Sequence, residues 1–344
     1  MRLIAAKKAA DCPDLPGSQD YPRNPNKSHT YVILFPNCKI NLGLNIIRKR
    51  SDGFHDIETV FYPLAWQDAL EIIEDAGHTT RNISSIQHPV SSTHHPVSSI
   101  QHPVSSTQHP VSSTQHPASS IQFSYSGISI NSKPEENLCH KAYQLLKKDF
   151  PKLPPHKMHL HKTIPAGAGL GGGSADGAFT LKLLNQKFNL GLSTEKLIDY
   201  ALQLGSDCPF FIVNKPCFAT GRGEFLESIE LDLSACKFVV VNPGIHVSTT
   251  EVFSLINPVL PSKSIKTITK QPVESWRKEL INDFEEPVFK KYPEIKNIKD
   301  QLYQAGAIYA SMSGSGSTVY GLFKKKIDIE FSFPSSYLIK NIQV

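Results

Sequence analysis

Between Pro165 and Ala178 the chain reads PAGAGLGGGSADGA, and five of the eight residues from Gly167 to Ser174 are glycine. Fixing a glycine in regular backbone costs roughly 0.5–1 kcal/mol more than fixing an alanine, so such a run answers a local need. A backbone that must come close to a phosphate is one such need. The preceding HKMHLHKTIP alternates Met158 and Leu160 with polar residues, as a strand does. The following SADGAFTLKLLNQKF places Ala178, Leu181, Leu184 and Phe188 at helical spacing, and Ser174 stands where it could cap that helix. Strand, glycine loop and helix together read as a cradle that offers free N–H groups to an anion at a helix N-terminus.

The spacing narrows the kind of cradle. A Walker loop ends in Gly-Lys-Ser or Gly-Lys-Thr, whereas Gly173 is followed by Ser174 and Ala175. Gly167, Gly169 and Gly172 satisfy G-x-G-x-x-G, but the alternating strand before them is not the doubly buried strand of a dinucleotide-binding βαβ unit. A glycine-rich anion loop of another kind remains, or a structural tight turn.

The elements that must position this loop fall into two groups. With 344 residues the chain exceeds the usual size of one core, and two domains are expected. The N-terminal half is rich in strands: YVILFPNCKINLGLNIIRKR, a turn at SDG, then FHDIETVFYPL. DALEIIED and IQFSYSGISI alternate with period two and read as the arms of a hairpin whose tip is lengthened. EENLCHKAYQLLKKDF puts Leu138, Ala142, Leu145 and Leu146 on one helical face. From Ala235 onward come a strand (KFVVVNPG), a helix opening at VSTTEVF, a helix in PEIKNIKDQLYQAGA with Ile295, Ile298 and Leu302 on one face, and SGSGSTVYGLF as a flexible loop entering a strand. The class is α+β, with a loose tail over residues 1–30, an N-terminal domain over 31–234 and a C-terminal domain over 235–344.

Between Gln87 and Ile121 a seven-residue unit close to QHPVSST runs five times. A proline in every unit would break a helix at about 3 kcal/mol each, which excludes a coiled coil and leaves a disordered or extended insertion. His88, His94, His95, His102, His109 and His116 could collect a metal, but a tolerated repeat expansion is the better account, and no metal site is assigned. The net charge of +5 suits an anionic small molecule and falls short of a nucleic-acid stripe. Cys12, Cys38, Cys139, Cys208, Cys217 and Cys236 form no Cys-x-x-Cys pair, as expected of reduced thiols. No apolar run approaches a membrane span and the first residues lack a leader's apolar stretch, so a cytoplasmic protein without membrane or nucleic-acid partners is expected.

PAGAGLGGGSADGA resembles the central ATP-binding motif of the GHMP kinases, and PNCKINLGL and ASMSGSGSTVYGLF resemble two further motifs of that superfamily, in the same order. RSDGFHDIETVF, LGSDCPFF and NDFE resemble the branch that phosphorylates 4-diphosphocytidyl-2-C-methyl-D-erythritol. The resemblance runs from about Tyr31 to about Phe323, outside the insertion. It implies a two-domain fold with the active site in the cleft between domains, and ATP-dependent phosphorylation of the substrate's 2-hydroxyl in the non-mevalonate route to isoprenoid precursors. It also implies ATP and Mg²⁺ as cofactors, a cytidine diphosphate-linked small molecule as partner, and a monomer or homodimer.

The same resemblance assigns roles to residues. Asp207 becomes the catalytic aspartate and Lys39 its partner, two residues that alone would pass for a surface ion pair. ATP falls to Pro165, Ala166, Gly167, Ala168, Gly169, Leu170, Gly171, Gly172, Gly173, Ser174 and Ala175, with Asn137 at the adenine. Phe54 would stack on the pyrimidine and His55 read its edge, with Asn41, Thr249, Phe253, Gly314, Ser315 and Gly316 as further substrate contacts. Three positions depart from the pattern: Asn37-Cys38-Lys39 stands for Pro-Ala-Lys, Phe54 for Tyr, and Ala175 for a second serine, so Ser174 serves alone. Another GHMP-type kinase, of the mevalonate or homoserine type, and a catalytically silent binding protein are the rival readings.

Overall fold

Three four-stranded sheets carry the molecule, and the residues that could do chemistry lie where they meet the glycine loop. The structure is a computed structural model and describes residues 32–74, 121–129, 133–326 and 332–343. Cys12, the N-terminal segment and the repeats up to Ser120 lie outside the described residues. The described residues belong to one compact unit.

In chain order, β1 (Val32–Leu34) leads through Pro36 to β2 (Asn37–Lys49), and a turn connects β2 to β3 (His55–Gln67). Next come β4 (Ala69–Glu74), β5 (Gln122–Gly127), α1 (Leu138–Asp149), β6 (His156–Lys162) and α2 (Gly172–Lys187). They are followed by α3 (Thr194–Leu204), α4 (Cys208–Val213), β7 (Cys217–Gly221), β8 (Phe225–Ser228) and β9 (Cys236–Asn242). Four helices, α5 (Thr249–Ser254), α6 (Ile265–Ile268), α7 (Val273–Glu279) and α8 (Glu285–Lys291), precede the longer α9 (Pro293–Gln304). The chain ends in β10 (Tyr309–Met312), β11 (Val319–Lys324) and β12 (Leu338–Gln343).

The sheets have the orders β1-β4-β6-β5, β2-β3-β7-β8 and β10-β11-β9-β12. Residues before Ala235 thus build the first two sheets and residues after it the third. The helix over Pro293–Gln304 buries Ile295, Ile298 and Leu302 as their spacing requires. In α1 the buried face is Cys139, Ala142, Tyr143 and Leu146, with Leu138 and Leu145 at its margin. α2 is buried on nearly every side, from Ala175 to Leu184, as expected of a helix wedged between a sheet and other helices.

β2 shows how local sequence aims the site. Residues alternate across a strand, so Cys38, Ile40 and Leu42 enter one core cluster while Lys39 and Asn41 share the opposite face. The register slips between Leu42 and Leu44, at Gly43 with φ +67°. That bulge sends Leu44 and Ile46 into a different cluster, against α8, α9 and the third sheet.

One expectation is overturned. β4 and β5 are strands, but they are not hairpin arms: β4 pairs antiparallel with one edge of β6 and β5 pairs parallel with the other. Alternation reports which face of a strand is buried, and it carries no information about which neighbour completes the ladder. The end of β4 and the start of β5 lie across β6 from each other, two strand spacings or about 10 Å apart. A closed Asn-Gly turn, whose ends lie less than about 7 Å apart, does not make that crossing. Replacing residues 75–120 by a flexible linker of about eight Gly and Ser residues should leave folding and activity within about twofold, since loop closure depends only weakly on length. An Asn-Gly replacement should give insoluble or unfolded protein, and circular dichroism with a turnover assay on both variants checks the pair.

Candidate active site

Lys39 and Asp207 come from chain positions far apart and meet at 3.3 Å between Nζ and Oδ2. Lys39 is 4% exposed, so its ammonium needs partners in place of water. It donates to Asn41 Oδ1 at 2.7 Å and lies 4.7 Å from the centre of the Phe61 ring, a cation–π contact. Asn41 is held in turn: its Nδ2 donates to Thr59 Oγ1 at 3.0 Å, and Thr59 donates to the Gly43 carbonyl. This fixes the amide with its oxygen toward Lys39. Asp207 directly precedes α4, and its carboxylate remains 33% exposed. A buried cation thus faces a carboxylate that a ligand can reach.

The glycine loop closes over this pair. The Lys39 N–H donates to the Leu170 carbonyl at 2.9 Å. Gly171 takes the left-handed conformation at φ +69°, and a Cβ there would sit 2.9 Å from Phe211 Cζ and 3.2 Å from Lys39 Cε. α2 begins one residue later, so Ser174 lies inside its first turn and does not cap it, contrary to expectation. The N-cap is Gly171, without any side-chain hydrogen bond, which leaves the first N–H groups of the helix for an anion. Ser174 instead meets the thiol of Cys208, which burial pushes up to about 12. Ala166, Gly167 and Gly173 are exposed on the open side, Pro165 and Gly169 are half-buried, and Ala168, Leu170, Gly172 and Ala175 are buried beneath.

The loop after β10 is no flexible lid. Ser313, Ser317 and Thr318 are fully or almost fully buried. Ser313 Oγ donates to the Gly169 carbonyl at 2.7 Å, and Thr318 N–H donates to the Ala168 carbonyl at 3.3 Å. A Cβ on Gly169 would fall 2.0 Å from the Ser313 carbonyl oxygen, so only glycine permits this docking. Gly314 and Gly316 lie in the same buried loop, and Ser315 meets Thr249 at 2.8 Å between hydroxyls.

Phe54 and His55 lie at the β2–β3 turn. Phe54 is 54% exposed, an open aromatic face, with Arg222 over its ring at 5.0 Å. His55 stacks on Phe253 at 4.6 Å and 16°, and Phe253 packs edge-on against Phe284. Burial, helped by the charge of Lys49, lowers the His55 pKa below the usual histidine value, so a neutral ring offers one donor and one acceptor. Asn137 does something the sequence left unread: it caps α1, its Oδ1 accepting from Cys139 N–H at 2.8 Å.

Residues 282–285, the NDFE stretch that carries part of the resemblance without an assigned role, brace this loop, and a buried charged triad behind it left no signal in the sequence. Asn282 donates to the carbonyls of Met312 at 2.8 Å and Gly314 at 2.9 Å, and so holds the loop that holds Gly169. Asp283 accepts from Ile46 N–H at 2.7 Å, and Glu285 from Met312 N–H at 2.8 Å. Behind the glycine loop, Lys162 pairs with both Asp68 and Asp176, all three nearly excluded from water. Asp68 also accepts from the Thr163 and Ile164 N–H groups, whereas Asp176 Oδ1 has no partner. Burial pushes the Asp176 carboxyl up to about 8, with Asp68 adding to the rise and Lys162 opposing it. No group of three or more His, Cys, Asp and Glu able to hold a metal occurs among the described residues, and the five described cysteines are free and buried.

The family description GHMP kinases N terminal domain matches residues 137–215, and GHMP kinases C terminal matches 265–331. A 4-diphosphocytidyl-2-C-methyl-D-erythritol kinase of Bacteroides fragilis is 47% identical over 307 residues, 88% of this chain and 97% of that protein. The chain belongs to the 4-diphosphocytidyl-2-C-methyl-D-erythritol kinase family. The kinase of that name from Azobacteroides pseudotrichonymphae is 48% identical over 86% of this chain and 94% of its own length. A crystal structure titled 4-(cytidine 5'-diphospho)-2C-methyl-D-erythritol kinase superposes with a TM-score of 0.64 at 26% identity, covering 85% of this chain and 90% of that one. The chain therefore has the GHMP kinase fold, and it is a small-molecule kinase.

The raised Asp176 carboxyl gives this kinase a testable pH dependence. Folded, Asp176 keeps its proton up to about pH 8, whereas an unfolded aspartate releases it near 4. The folded state binds more protons across that window, so this group makes stability fall as pH rises through it. Asp176→Asn removes the titration. In urea unfolding, the wild type should lose stability relative to the variant between about pH 5 and about pH 7.5. Parallel curves for the two proteins would mean that the carboxyl is ionised throughout.

Proposed function

We propose that this chain transfers the γ-phosphoryl group of ATP to the 2-hydroxyl of 4-diphosphocytidyl-2-C-methyl-D-erythritol. The observation that carries the reading is the Lys39–Asp207 pair beneath an uncapped glycine-loop helix. Asp207 accepts the proton of the attacking hydroxyl, its exposed carboxylate facing the space into which the substrate enters. Lys39 sets its charge against that developing on the transferred group, and its burial makes that charge count for more than it would in water. The N–H groups at the start of α2 hold the phosphates of ATP, a fit supported by the open space around Gly173. Mg²⁺ would neutralise the phosphates of the nucleotide, with the half-buried Ser174 hydroxyl in the first turn of α2 as an oxygen ligand of this chain.

At the other end, Phe54 offers its face to the pyrimidine, and neutral His55, steadied by Phe253, meets the base edge. Asn41, Thr249, Ser315 and the glycines flanking Ser315 support the substrate from the sides. Among the described residues no helix is long and apolar enough to cross a membrane. The division at residue 234/235 would then separate an ATP-binding part from a part that completes the substrate wall.

Coupled ADP release tests this against a panel of alcohols. The cytidine diphosphate-linked substrate should turn over, and mevalonate and homoserine should not. Asp207→Asn should lower kcat at least about 10²-fold while ATP still binds. Turnover of mevalonate or homoserine alone would assign a different kinase, and intact nucleotide binding without turnover of any alcohol would leave a silent binding protein.

A further inference from the structure

Arg222 stands in the short turn between β7 and β8, a turn no motif drew attention to. Its guanidinium lies 5.0 Å from the centre of the exposed Phe54 ring. A Cβ built on the next residue, Gly223, would lie 3.6 Å from Asp207 Oδ1 and 3.4 Å from the Phe61 ring that carries the Lys39 ammonium. The turn therefore spans the distance from the aromatic face to the reacting carboxylate, with a cation at its outer end. A pyrimidine joined through a diphosphate to a small polyol places its two negatively charged phosphates in that same interval.

We propose that Arg222 binds the diphosphate of the nucleotide-linked substrate, so that Phe54 and Arg222 together select a nucleoside diphosphate. The inference rests on the substrate reading above. Neighbouring cations are committed elsewhere or lie at the wrong end. Arg50 is held by Asp52 at 2.9 Å and Asp56 at 3.0 Å, Arg48 by Asp56, and Lys266 by Glu227 at 2.5 Å. Lys49 faces His55 across the strand pair, at the base end. Among the described residues Arg222 has one ion pair, a long one of 3.4 Å to Glu224 Oε1, and the second oxygen of Glu224 accepts from the backbone N–H of Arg222 itself. Glu224 thereby fixes the turn and leaves most of the guanidinium donors free to grip phosphate oxygens in pairs. Stacking on Phe54 limits the freedom the side chain loses when a ligand arrives.

Calorimetric titration of the full chain with cytidine and with CDP separates this role from mere packing on Phe54. A non-hydrolysable ATP analogue is kept saturating, so that CDP cannot report from the glycine loop. The wild type should bind CDP more tightly than cytidine. Arg222→Met, which keeps an apolar stem over the ring, should weaken CDP about tenfold or more and cytidine less than about twofold. Arg222→Lys should recover part of the CDP affinity. In turnover, Arg222→Met should raise KM for the cytidine diphosphate-linked substrate and leave KM for ATP unchanged, which also shows that the variant is folded. Equal losses for cytidine and CDP would mean that Arg222 acts only through Phe54 and would overturn the proposal, as would unchanged affinity for both. A wild type that binds neither ligand would overturn the substrate reading itself.

Discussion

A lysine ammonium almost removed from water is the constraint around which this molecule is arranged. Lys39 has lost its hydration, and an unpaired buried charge would cost several kcal/mol, so the fold must bring it substitutes. They come from three directions: the Asn41 amide on its own strand, the Phe61 ring on the neighbouring strand, and Asp207 ahead of α4. The N–H of the same residue anchors Leu170, and its side chain packs close beneath Gly171, where the left-handed backbone and Phe211 leave no room for a Cβ. One cation thereby ties the first long strand, the glycine loop and the Asp207 carboxylate to common coordinates.

A second layer does for the loop what Asn41 does for the lysine. Gly169 rests on Ser313, Ser313 lies in a loop held by Asn282, and Asn282 sits beside a strand bridge from Leu44. Lys162, with Asp68 and Asp176, braces the opposite side, under the first turn of α2. The backbone of the glycine loop is thus held by contacts within the chain itself, and oriented dipoles fixed in this way stabilise charge without reorganisation.

Much of this was legible in the chain, and the illegible part has a physical pattern. The glycine loop with its strand and helix, the Lys39–Asp207 partnership through family motifs, and the apolar face of α9 were all open to reading, because each leaves a signature in local spacing or in a motif. The pairing of β4 and β5 with β6 left none, since partner choice in a sheet is decided by elements distant in sequence. Ser174 looked like a cap because serine often is one, but a left-handed glycine at position 171 started the helix earlier. Asn282 stood in the NDFE stretch, but its service to backbone carbonyls across the fold was not legible there, and Arg222 could not be found by type, since it meets a ring brought near only by the tertiary structure. Asn137 carried both a motif and a cap, and only the cap has its partner within the chain.

The docking of Gly169 on Ser313 has a consequence for how the protein is made. A ribosome releases the glycine loop long before it has synthesised residue 313 of 344. Until then the Gly169 and Ala168 carbonyls lack the hydroxyl and amide that donate to them, and the loop above Lys39 is without its outer support. The docked form of the glycine loop therefore belongs to a chain that already includes residues 313–318, however much of its first two sheets a shorter one has formed.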